Sequence, residues 1–432
     1  MHLLNIPGII ILLTVAWLLS NNKKVVNWRV VIWGITLQLL FALFIFVVPA
    51  GTDVFLFIND LVLQILDSAR AGVIFLFGRL ALPPGTTSEA GETSLGFFLV
   101  FQALPTIIFF AALLAMLYYL GIMNRIIQIF AYVFTRLMRV SGAESLCAAS
   151  NIFVGIESTL VIRPFLKKMT RSELCTVLTV GMATVASSML ALYTFILKDM
   201  FPTIAGHLVS ASIMNAPAAI VLSKLLYPET ETPETLGQKV KPDYQRENNM
   251  IEAIINGANA GVKLVVGICA LLLAFLGLVA LLDKILILGG TQINHLFNTQ
   301  IDFTLKGLLG YLFYPFTLVI GIPLGEAGAI ARIIGERVIV TEVTAFQDLS
   351  KLIAAGGTLS PRSIVITTYA LTGFAHVASL AIFVGGIAAL VPERIKDLSK
   401  LGFRALLAAT LATLLTACVV GLFYSNTSIL MR

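Results

Sequence analysis

The stretch Asn151–Glu173, NIFVGIESTLVIRPFLKKMTRSE, decides how the chain is threaded. It opens like a membrane segment, apolar and rich in small residues. Glu157 then interrupts the run, and Arg163, Lys167, Lys168 and Arg171 put four basic residues within nine positions. If 146–166 crossed a bilayer, that cluster would emerge outside, whereas Lys and Arg concentrate in cytoplasmic loops. The charge pattern therefore predicts a re-entrant hairpin over 146–166 with a cytoplasmic basic end. Thr170 and Glu173 form an S/T-x-x-E capping box that starts a helix over about 172–197.

Composition sets the class around this stretch. Of 432 residues, 58% are hydrophobic and 12% charged, and the mean hydropathy is +0.95. Soluble domains carry about 25% charged residues. Apolar runs near the ~20 residues of a helical span recur throughout, and short alternating strands of a transmembrane barrel are missing. The fold class is an all-α polytopic membrane protein. The run Leu3–Ser20 has no basic residues before it and reads as a retained span. Cys147, Cys175, Cys269 and Cys418 lie in apolar segments without metal-ligand or CxxC spacing and read as packing residues. A net charge of +6 suits basic cytoplasmic loops and gives no support for nucleic acid as a partner. HExxH, Walker A and Gly-x-Ser-x-Gly motifs are absent from the sequence, so it offers no support for an enzyme.

Charge then orders the spans. Lys23, Lys24 and Arg29 place loop 21–29 inside and the N-terminus outside. Spans are expected at about 3–20, 30–49, 95–120, 172–197, 203–226, 260–287, 363–388 and 403–425. Segments 51–80 and 122–141 read as interfacial amphipathic helices. Loop 227–249, with Lys239, Lys241 and Arg246, falls inside, and loop 288–303, with no Lys or Arg, outside. Segment 305–347, broken at GIPLGEAG, carries Glu326, Arg332, Glu336, Arg337 and Glu342 and reads as a second hairpin. The result is about eight spans plus two re-entrant hairpins. It divides into N-terminal spans (1–93), a scaffold span with an interfacial helix (94–145), a first hairpin repeat (146–227), a loop and scaffold span (228–304) and a second hairpin repeat (305–432).

The two hairpin units resemble each other. Each is followed by a helix containing Ala-x-Val-Ala-Ser, at Ala183–Ser187 and at Ala375–Ser379. One unit starts inside and the other outside, which makes the repeat inverted. Secondary transporters are built this way and hold substrate near the midplane. Glu157 and Glu342 are the leading site candidates, since a carboxylate at membrane depth needs a function or a partner. The plainer alternative pairs them with Arg163 and Arg337. His376 sits at the repeat position of Thr184, as a ligand, a proton-coupling group or a satisfied core histidine. Asn151, Thr184, Ser187 and Ser379 offer oxygen ligands for Na+ or bond back to the backbone. Gly155 supplies a permissive backbone at a hairpin turn, and Phe374 and Met189 can pack a flat ring or simply fill core.

The chain also resembles the concentrative nucleoside transporters. The likeness runs through LLSNNKK, FQALPTIIFFAALLAMLYYLGIMNRII, NIFVG, VIRPF, MTRSEL, GFAHVAS and GFRALLAATLATLLTA. It implies a homotrimer in a cell inner membrane, with a scaffold and an elevator-type transport domain driven by Na+ or H+. The family's first hairpin carries Gly-Gln-Thr-Glu. Here Gly155-Ile156-Glu157-Ser158-Thr159 is one residue shorter and lacks the Gln, and Glu157 matches the base-contacting Glu. Thr341-Glu342 matches Asn-Glu of the second hairpin, making Glu342 the ribose-contacting residue. In Gly373-Phe374-Ala375-His376, His replaces the family's ribose-contacting Asn, with Ser379 three residues on. The implied substrate set is Gly155, Ile156, Glu157, Met189, Glu342, Phe374, His376 and Ser379. The implied Na+ set is the Asn151 and Thr184 side chains with the Val154 and Val185 carbonyls. Loss of two amides leaves the cargo open between a nucleoside and a related polar solute. The rival readings are a non-nucleoside symporter on the same scaffold and a non-transporting membrane sensor or assembly protein.

Overall fold

A computed structural model describes residues 5–87, 91–243, 247–356 and 359–424. His2, the start of the first expected span and Arg246 lie outside the described residues. The helices, in chain order, begin with α1 Asn5–Leu18, α2 Trp28–Phe46, α3 Pro49–Phe77, α4 Leu99–Gln102, α5 Pro105–Tyr119 and α6 Ile122–Met138. The first hairpin follows as α7 Gly142–Asn151, a 3-10 arm Ile156–Ile162 and α8 Arg163–Leu166, and then α9 Arg171–Ala183, α10 Ser187–Leu197 and α11 Ile204–Leu226. The second half contains α12 Met250–Phe297, α13 Leu305–Val319, α14 Leu324–Ile339, α15 Glu342–Ala354, α16 Pro361–Leu371, α17 Val377–Leu390 and α18 Ile395–Phe423. Seven helical stretches among the described residues are long and apolar enough to cross a membrane. They include Pro49–Ala81, which the sequence reading laid on the interface.

Local chemistry explains the boundaries. The Thr170–Glu173 box is present in full, and a second, Ser141–Glu144, starts α7. Helix α7 has ten residues, about 15 Å at 1.5 Å per residue, half of a ~30 Å hydrocarbon core. The Asn249 side chain caps the start of α12 and left-handed Asn298 ends it. Its 48 residues extend well past the expected 260–287. No Pro or cap interrupts the sequence between those two asparagines, so nothing stops the helix earlier.

Three further expectations about boundaries need correction. Segment 172–197 is two helices, because the backbone leaves helical geometry at Thr184–Ala186. Segment 363–388 is likewise split at Thr372–His376. The second hairpin is α14–α15 over 324–354, and residues 320–323, reaching into GIPLGEAG, separate it from the independent helix α13. The turn falls at Val340–Thr341, where the Thr341 side chain caps α15 and leaves Glu342 as its first residue.

The two halves exchange partners. First arm α7 packs on α9 and first arm α14 on α16, while second arm α15 packs on α10 and the arm Ile156–Ile162 on α17. Tyr193 of α10 stacks on Phe346 of α15 with ring centroids 4.5 Å apart. A Cβ on Gly386 of α17 would stand 2.8 Å from Ile156. The core lies in α9, α11, α16 and the second half of α18, where side chains are almost all buried.

Helices α5 and α12 form a separate layer, held by small residues. A Cβ on Gly257 would stand 2.6 Å from Ala115 Cβ, and one on Gly261 would stand 2.7 Å from Ile108 Cα. This Gly-x-x-x-Gly face lets two backbones approach closely, which is how helices associate where lipid removes the hydrophobic drive. Gly257→Leu must push the helices apart. Overpacking of this kind costs about 1–3 kcal/mol, so thermal unfolding should show a clear fall in Tm, whereas Gly277→Leu, with open space around it, should not.

Candidate functional site

The site grows from the two helix breaks. Thr184 and Thr372 are the C-caps of α9 and α16, and each hydroxyl donates to the carbonyl four residues back, Val180 at 2.8 Å and Thr368 at 2.6 Å. By geometry Thr184 therefore matches Thr372 rather than His376, a correction to the sequence register. The broken segments cross each other. The Phe374 N–H donates to the Thr184 carbonyl at 3.4 Å, and a Cβ on Gly373 would lie 2.9 Å from the Ala183 carbonyl oxygen. Asn215 of α11 holds the crossing, donating from Nδ2 to Ala183 O at 2.9 Å and to Thr372 O at 2.5 Å.

Beside this crossing lies a polar cluster with almost no solvent contact. Glu342 is 1% exposed and His376 0%. The Tyr193 hydroxyl donates to Glu342 Oε1, and His376 Nε2 stands 3.0 Å from Glu342 Oε2. His376 is the N-cap of α17, and its Nδ1 accepts from the Ser379 N–H at 3.2 Å. With Nδ1 accepting from the backbone, Nε2 is the ring nitrogen left beside the carboxylate, close to it but not aligned for a hydrogen bond. Ser379 Oγ donates to His376 O at 2.6 Å, which locks the first turn. The Phe374 ring stands edge-on to His376 at 4.6 Å. Buried Met189 lies one helical turn before Tyr193 on the same face of α10.

Glu157 has a different setting. It is exposed and lines a cavity of about 370 Å³ with Val154, Gly155, Tyr118, Arg163 and Asp243. Among the described residues neither expected ion pair forms. Arg163 makes none with Glu157, and Arg337 turns instead to Ala370 O and Thr413 Oγ1. The structure thus gathers Glu342, His376, Ser379 and Phe374 in one cluster, and Val154, Gly155 and Glu157 in the cavity; Ile156 instead packs beside α17.

Of the candidate cation ligands, Asn151 gives Nδ2 to Cys147 O at 3.0 Å, while its Oδ1 is buried with no partner. Val185 lies in the α9–α10 break, its carbonyl 3.4 Å from Ser212 Oγ. An orphaned amide oxygen near a helix break is what a small hard cation would satisfy. Sequence reasoning passed over Tyr193, Asn215 and Asp243. Tyr193 ends the apolar stretch MATVASSMLALY (182–193), which holds the first Ala-x-Val-Ala-Ser, and Asn215 is a lone amide in apolar SIMNAPAA, so both left a signal.

Comparison with known proteins agrees with this architecture. Residues 7–80 match the family described as Na+ dependent nucleoside transporter N-terminus, 207–421 its C-terminus, and 100–200 a nucleoside recognition Gate. An uncharacterized transporter of Haemophilus influenzae is 36% identical, with 97% of each chain covered. Nucleoside permease NupC of Helicobacter pylori is 34% identical, over 98% of this chain and 97% of that one. Human solute carrier family 28 member 3 is 35% identical over 98% of this chain, which spans 60% of the human protein's length. Among solved structures, CNTnw in an inward-facing substrate-bound state superimposes with a TM-score of 0.86 at 34% identity, covering 98% of this chain and 99% of that one. A substituted form of CNTnw in an outward-facing state gives 0.86 at 33% identity, covering 98% of each. The chain is a multi-pass, all-α membrane protein that belongs to the Na+-dependent concentrative nucleoside transporter family, whose members are transporters and not enzymes.

Proposed function

We propose that this protein imports a nucleoside, or a close nucleoside-like solute, across a cell inner membrane, coupled to inward movement of Na+. The observation that carries the reading is the buried Glu342 carboxylate, held on a hairpin tip by the Tyr193 hydroxyl with His376 Nε2 close by, beside the crossing of two broken helices. A carboxylate so placed accepts hydrogen bonds from the vicinal hydroxyls of a ribose. Glu157, one hairpin away in an open cavity, is suited to the hydrogen-bonding edge of a base. The Asn151 amide oxygen and the Thr184 hydroxyl, with the carbonyls of Val154 and Val185, are the ligands proposed for Na+. Short α7 and the pair α14–α15 act as re-entrant hairpins, and they move with α9–α11 and α16–α18 as an elevator against the α5–α12 layer. Assembly as a homotrimer within the bilayer gives that layer its fixed footing.

Binding tests the reading on the purified protein. A panel of nucleosides is expected to raise Tm in NaCl and to do little in choline chloride. If no nucleoside stabilises the protein in either salt, the substrate reading fails while the fold stands.

Two variants refine it. His376→Asn keeps a good N-cap for Ser379 N–H, so Tm should move by no more than about 1 kcal/mol equivalent. The variant restores the amide of the family pattern and is expected to shift preference toward ordinary nucleosides. An unchanged competition profile would take His376 out of the site. Glu157→Gln is expected to cut uptake about tenfold or more, since charged hydrogen bonds are worth about 1.5–3 kcal/mol. Wild-type uptake would make Glu157 a bystander of the cavity.

A further inference from the structure

Arg337 is the largest fully buried side chain among the described residues, and the site described above makes no use of it. It is 0% exposed and forms no ion pair. Its Nη1 donates to Ala370 O at 2.5 Å and to Thr413 Oγ1 at 3.1 Å, while Nε and Nη2 have no partner. A guanidinium without an ion pair in a membrane protein's interior is costly and must answer a negative field, part of which comes from the Glu342 carboxylate within electrostatic reach. Ala370 lies in the last turn of α16, next to the second helix break, where unpaired carbonyls carry the negative end of the helix dipole.

The first break offers the complementary arrangement. Arm α7 packs on α9 as α14 packs on α16. Asn151 stands six residues before Glu157, and Arg337 five before Glu342, on the corresponding arm of each hairpin. The first break thus has an acceptor with no donor, Asn151 Oδ1, and the second has donors with no acceptor, Arg337 Nε and Nη2. Helix ends and freed carbonyls at such breaks are where secondary transporters hold their cations. One break lacks a positive charge and the other has one attached to the chain.

We propose that Arg337 is a built-in cation at the second helix break, taking the place of a second coupling ion, so that the protein carries one Na+ per solute. The inference rests on reading the first break as the Na+ site. Lys at 337 would keep the charge and Met would keep only the bulk.

The test is thermal unfolding of the purified protein over a Na+ titration, with choline holding ionic strength constant, for wild type, Arg337→Lys and Arg337→Met. Wild type and the Lys variant are expected to follow a single-site response, with a Hill slope near 1. The Met variant is expected to start at a lower Tm in choline and to respond more steeply, with a slope approaching 2, recovering at least half of the lost Tm as Na+ fills the vacated position. A Met response parallel to wild type, with no recovery, overturns the proposal and leaves Arg337 a packing residue. A wild type that ignores Na+ defeats both the proposal and the Na+ reading of the first break. Should the Met variant not fold, the wild-type reversal potential in proteoliposomes decides. One positive charge per neutral nucleoside is expected, and two overturns the proposal.

Discussion

Glu342→Gln is expected to reduce uptake by about 100-fold or more while leaving a protein that folds and elutes like wild type. The argument rests on donor and acceptor counting. Both Glu342 oxygens face groups that can donate, the Tyr193 hydroxyl and His376 Nε2. A carboxylate is acceptor-only, whereas an amide must turn an NH2 toward one of them. With Gln, either Tyr193 or His376 loses its acceptor, and the negative charge that would meet a sugar's hydroxyls is gone. Hydrogen bonds to a charged group are worth about 1.5–3 kcal/mol each, and each 1.4 kcal/mol is about tenfold, so losing two from a sugar's hydroxyls gives a loss of this size. Tyr193→Phe separates the two contributions. It removes one donor and keeps the charge, so it should lower uptake far less than Glu342→Gln. Equal losses would make the cluster a structural network with no direct role in solute binding.

Asn215→Leu is expected to have the second largest effect, and on stability as well as uptake. The side chain is close in size, so a cavity is not the cause. Nδ2 bonds the carbonyl ends of both broken segments, at Ala183 and Thr372, beside the Phe374 N–H bond to Thr184 O. Leu leaves both carbonyls buried without that donor, at about 1–3 kcal/mol each. It also frees the crossing at Thr184 and Gly373, which positions His376 and the Thr184 hydroxyl together. Asn215→Asp should be worse than Leu, because it sets a carboxylate against two carbonyl oxygens. Tm and uptake measured on both variants check this ordering. An Asp variant as stable as wild type would show that Asn215 does not hold the crossing.

Much of this was legible in the sequence because it is written in charge and capping. Four basic residues after Glu157 broke the apolar run, and the segment before them is the ten-residue helix α7. The Thr170–Glu173 box started its helix as expected. The helix breaks were hidden. Neither Thr184–Ala186 nor Thr372–His376 contains a Pro, and only Gly373 marks the second. The backbone opens there because Asn215 donates to its freed carbonyls and the crossing segments bond each other, and those are contacts between residues far apart in the chain. The second hairpin was misplaced for the opposite reason. GIPLGEAG is a strong local breaker and drew attention away from Val340–Thr341, whose turn depends on the Thr341 cap and on α15 packing against α10. Tyr193 and Arg337 were visible as polar groups in apolar helices, but their partners, Glu342 through the exchange of arms and the Ala370 carbonyl through the packing of α14 on α16, are set by contacts far apart in the chain.

The central claim is that this chain couples a nucleoside to a cation gradient. It is tested most directly by uptake of a labelled nucleoside into proteoliposomes with an inward Na+ gradient. The expected result is accumulation above the external concentration, which collapses when the gradient is dissipated and is lost in Glu342→Gln. Simple equilibration of the nucleoside, unaffected by the gradient and by that substitution, would contradict it.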